Sequence, residues 1–196
     1  MKRTVLFGLA GFAALALLAW GVNAGLQYLG RTSSPEVPVA PTPAPTPTAH
    51  ITATLFYGAP DGVSLAPLRV EVPLAEGAVA QGRQIVQALL HAPPAPYLAV
   101  VPAGTTLKAL YLTPGGDAFV DLSAEVSTKH PGGTQAELLT VYAIVNAITT
   151  NLQGVRRVQL IIDGHEADTV AGHVDVRRPL ELDASLVLQA PTPAVQ

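Results

Sequence analysis

The sequence predicts an α+β domain of β(β)αββαβ order, with two helices packed on one face of a mixed or antiparallel sheet. Two stretches, residues 76–91 and 134–152, carry apolar residues at helical spacing. Short runs rich in β-branched and aromatic residues, bounded by turn signals, lie before, between and after these stretches. Hairpin strands that separate two amphipathic helices favour placement of both helices on the same side of the sheet.

The first half of the domain predicts a hairpin followed by a helix. Residues 51–57 suit a strand, Asp61-Gly62 is a turn signal, and residues 68–72 alternate so that they can pair with the first strand. The helix over residues 76–91 ends before Pro93-Pro94, because proline cannot continue the helical hydrogen bonds. Its predicted apolar positions are Val79, Gly82, Ile85, Val86, Leu89 and Leu90.

The second half predicts another hairpin, a long helix and further strands. Residues 105–112 and 118–122 flank the turn sequence Thr113-Pro-Gly-Gly-Asp117. After the long helix, residues 155–162 are predicted to form a strand, which ends in a turn at Asp163-Gly164. Residues 173–182 can add a short edge strand.

The long helix carries the clearest local signals. Thr134-Gln-Ala-Glu137 has the form of a capping box, in which the Thr hydroxyl and the Glu carboxylate each satisfy one free backbone donor at the helix start. Gly154 can close the helix. One apolar stripe is predicted to face the sheet: Leu138, Val141, Tyr142, Val145, Ile148 and Leu152.

The N-terminal segment is long and apolar enough to cross a membrane. Lys2 and Arg3 precede an uncharged run to Gly30, and about 20 apolar residues suffice to span a bilayer. The excess of positive charge before the run predicts a single-pass anchor with a cytoplasmic N-terminus and an extracytoplasmic C-terminal domain. A signal peptide cleaved after Ala24 is the alternative.

Four regions are therefore predicted along the chain. Residues 1–31 form a membrane anchor or signal segment, and residues 32–50 form a proline-rich linker of extended polyproline character. Residues 51–188 form the folded domain, and residues 189–196 form a disordered tail.

Composition excludes several classes of function. The net charge of -3 argues against nucleic-acid binding, which needs a clustered basic surface. The absence of cysteine excludes disulfides, thiol nucleophiles and cysteine-ligated metal sites.

Three polar groupings are candidate sites, and each has a simpler interpretation. The cluster Asp163, His165, Glu166, Asp168, His173 and Asp175 contains metal-ligand types but lacks an H-E-x-x-H motif, and it falls on a predicted turn. The types of a hydrolase triad occur in Asp121, Ser123 and His130, without a nucleophile-elbow motif. The pairs Arg156-Arg157 and Arg177-Arg178 could bind an anionic partner, but they also suit charges that protect strand edges.

Several of these segments resemble the GerMN domain, the bacterial sporulation and spore-germination family. The resemblance rests on Ala118–Ser123 (AFVDLS), Gly132-Gly133-Thr134, Glu137–Asn146 (ELLTVYAIVN), Val158–Gly164 (VQLIIDG), Ala171–Asp175 (AGHVD) and Arg178-Pro-Leu180. It covers most of residues 51–182 and implies an extracytoplasmic, membrane-tethered module of assembly or interaction rather than an enzyme.

Residues and resemblance together predict a membrane-tethered extracytoplasmic scaffold or adaptor. No catalytic, cofactor-binding or metal-ligating residue and no cofactor is predicted. The expected partner is a cell-envelope protein or a cell-wall component, with the membrane contacted through the N-terminal helix. One alternative is an extracytoplasmic hydrolase or metal-dependent enzyme that uses the His/Asp loop. The other is a cell-wall glycan-binding module, for which the available rings are Phe56, Tyr57, Tyr97, Tyr111, Phe119 and Tyr142.

Overall fold

A computed structural model describes residues 49–188, together with residues 20, 21 and 25. The chain divides into two units, Met1–Thr46 and Pro47–Gln196. In the first unit the described residues Trp20, Gly21 and Gly25 are helical. The remainder of the predicted anchor, most of the linker and the tail lie outside the described residues. Within the part that is described, no helix is both long and apolar enough to cross a membrane.

The N-terminal hairpin forms a sheet of its own. Strands β1 (His50–Gly58) and β2 (Leu65–Pro73) pair antiparallel, as predicted, with Leu55 opposite Leu68. The turn between them is held by Asp61, whose Oδ1 accepts the amides of Val63 and Ser64, each at 2.9 Å.

A second, mixed sheet follows. It contains β3 (Leu107–Leu112), β4 (Asp117–Leu122), β5 (Arg157–Ile162), β6 (His165–Glu166) and β7 (Leu180–Glu181). β4 and β5 run parallel, and the other pairs are antiparallel. The edge strand expected over residues 173–182 is reduced to β7. His173, where that strand was expected to begin, instead donates its amide to a carboxylate on the long helix.

The two predicted helices are α1 (Ala78–Leu89) and α3 (Thr134–Asn151), and a short unpredicted helix, α2 (Glu125–Thr128), precedes α3. α1 contacts β3 and α3 contacts β5, so both pack against the mixed sheet as predicted. α3 also contacts β1 of the hairpin sheet, which encloses it between two sheets. Among the apolar positions of α1, Ile85, Val86 and Leu89 are buried, whereas Val79 is 40% exposed.

Enclosure by two sheets buries α3 on more sides than an amphipathic stripe implies. Val141, Val145 and Ile148 are fully buried, as the stripe predicts. Leu138 and Tyr142 are only half-buried. Ala143, Ile144 and Ala147 lie outside the predicted stripe and are also fully buried. The hairpin sheet covers the face that a single sheet would have left exposed.

The capping box predicted at the start of α3 does not form. Gly133 is the N-cap, and no side chain caps the helix. The helix thus begins one residue earlier than a Thr134 cap requires, which places Glu137 at the fourth helical position rather than the third. Glu137 points instead toward the loop at residues 170–173.

Substitutions along α3 test this enclosure. Val145→Asp places an unpaired carboxylate in the core and should cost about 3–5 kcal/mol of the free energy of unfolding, measured by chemical denaturation. Thr150→Asp, at an exposed position of the same helix, is the matched control and should change stability little. Thr134→Ala should also be nearly neutral, because this hydroxyl makes no cap bond. Equal stability of the Val145 and Thr150 variants would contradict the packing.

Candidate functional site

An apolar groove of about 680 Å³ lies beside the first turn of α3. Its walls are the hairpin turn (Gly58 and Gly62), the segment 98–103, and residues 131–136 with Leu139. We call it the α3 groove. None of its lining residues carries a carboxylate, an imidazole or an amine. The larger apolar side chains of the lining are Leu98, Val100, Val101, Pro102, Pro131 and Leu139.

The hairpin and the segment 98–103 are joined by a reciprocal backbone pair. Gly58 and Leu98 each donate an amide to the other's carbonyl oxygen, both at 2.8 Å. A Cβ at Gly58 would lie 2.9 Å from Cγ1 of Val100, closer than packed carbon atoms approach. A side chain at position 58 would therefore force Val100 to shift where these two walls meet.

His130 and Thr140 join the segment 98–103 to α3. The amide of Gly132 donates to His130 Nδ1 at 3.0 Å, so the ring's proton is on Nε2. Nε2 lies 3.0 Å from Thr140 Oγ1, to which it donates. The Thr140 hydroxyl in turn donates to the carbonyl oxygen of Val100. This chain of hydrogen bonds holds two walls of the α3 groove in place.

The first turn of α3 supplies the polar part of the groove. Gly132 and Gly133 have φ of 83° and 88°, a conformation that favours glycine. The first amides of a helix have no acceptor inside it, and Gly133 has no side chain to provide one. The groove lining includes Thr134, Gln135 and Ala136, whose amides are these first donors. The Gln135 side chain donates to Val63 O at 2.7 Å and joins this turn to the hairpin.

Exposed apolar side chains lie next to the groove. Leu98, which lines it, is 46% exposed, and Val63, beside the lining residue Gly62, is 56% exposed. Apolar surface around a concave site with a few polar donors is typical of a binding surface.

Glu137 lies just inside the groove-forming turn and is completely buried. Its Oε1 accepts the amides of Val170 (2.8 Å) and Ala171 (2.7 Å). Its Oε2 accepts the amide of His173 at 2.8 Å and lies 3.2 Å from that residue's Nδ1. These bonds fasten the loop of residues 170–174 to α3.

The hydrogen bonds keep Glu137 charged despite its burial. Loss of water, the largest single effect, works to raise the pKa of the carboxyl. Hydrogen bonds from the amides of Ala171, His173 and Val174, and from the His173 ring, outweigh it and lower the pKa below the ordinary value of 4.5. A carboxyl group that accepts several amide hydrogen bonds is favoured in its anionic form.

Three residues of the possible metal cluster have separate partners. Asp163 pairs with Lys108, and Asp175 pairs with Arg177 at 2.7 Å. His173 lies against Glu137, which sequence reasoning had assigned to the helix cap. In the described part of the chain, no group of three or more His, Asp or Glu side chains could hold a metal ion.

The candidate triad is not assembled. Asp121 Oδ1 accepts the amide of Gly164, and Ser123 Oγ accepts that of Thr106, each at 2.9 Å. His130 bonds to Thr140 and Gly132, as described above. Each of the three side chains thus holds a different backbone segment.

Three of the four candidate arginines bond within the domain, and most of the candidate aromatic rings are not exposed. Arg157 makes a bidentate pair with Asp117, and Arg156 donates to Gly115 O at 2.9 Å. Tyr111 is 60% exposed. The other five candidate rings are buried or half-buried, which leaves no stacking platform within residues 49–188: Phe56, Tyr57, Tyr97, Phe119 and Tyr142.

Comparison with known families identifies the class of domain. The profile of the Germane family, described as sporulation and spore germination, matches residues 54–168. This match covers more than half of the 196 residues, and the chain belongs to that family. The resemblance to GerMN domains inferred from the sequence is thereby confirmed. No curated protein sequence matches the chain.

Three solved structures are similar to this chain at low sequence identity. The first GerMN domain of the sporulation protein GerM from Bacillus subtilis is 20% identical, with a TM-score of 0.52, over 69% of this chain and 98% of that one. The tandem GerMN domains of GerM are 21% identical, with a TM-score of 0.54, over 68% of this chain and 46% of the tandem. A candidate lipoprotein from Clostridium perfringens is 20% identical, with a TM-score of 0.49, over 68% and 88% of the two chains.

Replacement of Glu137 by an uncharged residue tests the role of the buried carboxylate. When folding lowers the pKa of a carboxyl group, its charge stabilises the folded state, and this contribution is complete at pH values above the unfolded pKa of 4.5. The contribution is lost as the pH falls through the lower pKa of the folded state. Glu137→Gln should therefore lower the free energy of unfolding by about 2–3 kcal/mol at pH 7, with a smaller deficit in acid.

The matched control for this variant is Glu166→Gln, at an exposed position. It should follow the wild type across the pH range in denaturant unfolding. A Glu137→Gln deficit that stays constant from pH 7 down to acid would contradict the assignment of a charged buried carboxylate.

Proposed function

We propose that this chain is a membrane-tethered, extracytoplasmic interaction domain that binds a cell-envelope protein through the α3 groove and catalyses no reaction. The occupant that fits is an extended protein segment with apolar side chains. Its side chains would contact the groove wall near Leu98 and Leu139, and its carbonyl groups would meet the first amides of α3.

The observation that carries this proposal is the composition of the groove. Its lining is mostly apolar, its rim exposes Leu98 and Val63, and its polar groups are mainly backbone donors. Transfer and hydrolysis reactions usually need a general acid, a general base or a metal at the reacting atoms, and the lining supplies no carboxylate, imidazole or amine. Sugar binding usually uses exposed rings, and the lining contains none.

The layout of the chain supports the tethered location. An apolar segment follows Lys2 and Arg3, and the proline-rich residues 32–50 separate it from the domain. Proline-rich sequences favour extended conformations, and a linker of that kind would hold the domain away from the bilayer. Membership of the sporulation and spore-germination family, and the fold shared with the sporulation protein GerM, agree with a role in the cell envelope.

Site-specific photo-crosslinking in intact cells tests the groove. A photoreactive amino acid is placed at Leu98 in the full-length chain, and the matched control carries it at Tyr111, which is exposed but does not line the groove. We expect a discrete adduct with an envelope protein from position 98 and none from position 111.

Two results would contradict the proposal. Equal adducts from both positions, or none from position 98, would remove the groove as the binding surface. An adduct with a cytosolic protein would contradict the extracytoplasmic location while leaving the groove as a binding site.

A further inference from the structure

The outer edge of β2 directs backbone groups away from the hairpin. On the far side of the hairpin, the amide and carbonyl groups of Thr54 bond to the Asn151 side chain, at 2.8 and 2.7 Å. Thr54 is opposite Arg69, so this pair does not bond across the hairpin, and Arg69 directs its own amide and carbonyl group outward. Because pairs alternate in an antiparallel ladder, Pro67 and Glu71 also direct theirs outward.

Within the described part of the chain, residues 67–71 of this edge have no partner strand. The pairing of the edge is limited to Leu65, which pairs with Val187. We call residues 67–71 the β2 edge. An open edge of this kind is a template for pairing with another chain. The side chains that accompany its outward backbone groups are all exposed: Pro67, Arg69 and Glu71.

We propose that the β2 edge pairs antiparallel with the β2 edge of a second copy of this chain, about a two-fold axis at Val70. In this register Arg69 is opposite Glu71 of the second copy, and Glu71 is opposite Arg69 of the second copy. Both residues direct their amide and carbonyl groups toward the partner. Each of these pairs can therefore exchange two backbone hydrogen bonds.

Charge selects this register over its neighbours. Arg69 and Glu71 project from the same face of the strand, so opposite charges meet when the strand pairs with its own reverse. Thr52 Oγ1 donates to Glu71 Oε1 at 2.6 Å and already holds this carboxylate on that face. Arg69 forms no ion pair within the described residues. A two-fold axis at Arg69 or at Glu71 would instead place like charges directly opposite each other.

The prolines of β2 agree with the same register. Pro67 and Pro73 belong to the outward set but have no amide proton to donate. With the axis at Val70 they are opposite each other, and every outward backbone group of Arg69 and Glu71 has a partner. A shift by two residues in either direction would place a carbonyl group of each copy against a proline nitrogen.

A cavity beside β2 suits an apolar side chain of the second copy. The cavity has a volume of about 380 Å³, lies between β2 and α1, and is lined on the strand side by Val70 and Val72. In the proposed register Leu68 of the second copy is opposite Val72 and on the same face of the sheet, so its side chain is directed toward this cavity. Leu68 is only half-buried in a single chain, and pairing would cover its remaining surface.

We expect a weak, reversible dimer. Five residues on each side make a small interface, whereas stable interfaces usually bury more than about 1,000 Å². None of the residues that line the α3 groove belongs to the β2 edge. The dimer therefore goes beyond the proposed function, and its test does not depend on the groove.

Disulfide trapping in the full-length chain tests the pairing, because the natural sequence contains no cysteine. Val70→Cys places two thiols at the axis, in a pair whose Cα atoms lie about 4.5 Å apart, within the range of a disulfide. Mild oxidation should give a covalent dimer. Leu68→Cys is the matched control, since it is also half-buried on the same face of β2. Its two copies would lie about 13 Å apart along the strands, so it should remain monomeric.

Charge reversal in the Val70→Cys chain provides a second measurement. Arg69→Glu would place like charges opposite each other in both pairs and should weaken association about tenfold. The further change Glu71→Arg makes the charges complementary again and should restore the yield of covalent dimer. Sedimentation equilibrium of the same charge variants without the cysteine should show the same order of association.

Three outcomes would overturn the proposal. These are the absence of a covalent dimer from Val70→Cys, an equal yield from Leu68→Cys, and association that does not respond to charge reversal at Arg69.

Discussion

The buried carboxylate of Glu137 is the interaction on which the C-terminal part of the domain depends. It is the only charged residue of α3, and it accepts three backbone amides from residues 170–173. Those amides belong to a loop that has no strand pairing and is bonded to α3 near the start of the helix. Removal of the anion would leave buried donors without an acceptor, a state that costs more than a hydrogen bond normally contributes. The position of this loop therefore follows from one side chain.

The same end of α3 also defines the binding surface. Gly132 and Gly133 start the helix without a side-chain cap, which places Glu137 against the loop and leaves the first amides beside the α3 groove. His130 and Thr140 then hold the segment 98–103 as the facing wall. The start of α3 therefore both positions the side chain that anchors the loop and forms part of the α3 groove. A change at that start would affect both, whereas a change at Leu98 would affect the groove alone.

The sequence predicted the helices and strands well, because each is indicated by residues within it or directly beside it. Pro93-Pro94 ends α1, Asp163-Gly164 turns β5 into β6, and the alternation of residues 68–72 identifies β2. The partner of Glu137 lies 33 residues downstream. A capping-box pattern concerns only the first turn of a helix, so it does not predict a contact at that distance. The hairpin sheet that covers α3 comes from a distant part of the chain. The walls of the α3 groove also come from segments that are distant in sequence. One sequence signal was available, since a single acid in an otherwise uncharged helix indicates a buried, partnered carboxylate.

An NMR titration of the Glu137 side-chain carboxyl shows whether this group anchors the loop as an anion. We predict a pKa below the ordinary value of 4.5, because the amide hydrogen bonds outweigh the burial of the charge. The amide shifts of Ala171 and His173 should follow the same titration, since both groups donate to this carboxylate. A pKa at or above 4.5, or amide shifts that ignore the titration, would contradict the assignment of Glu137 as the anchor of the loop.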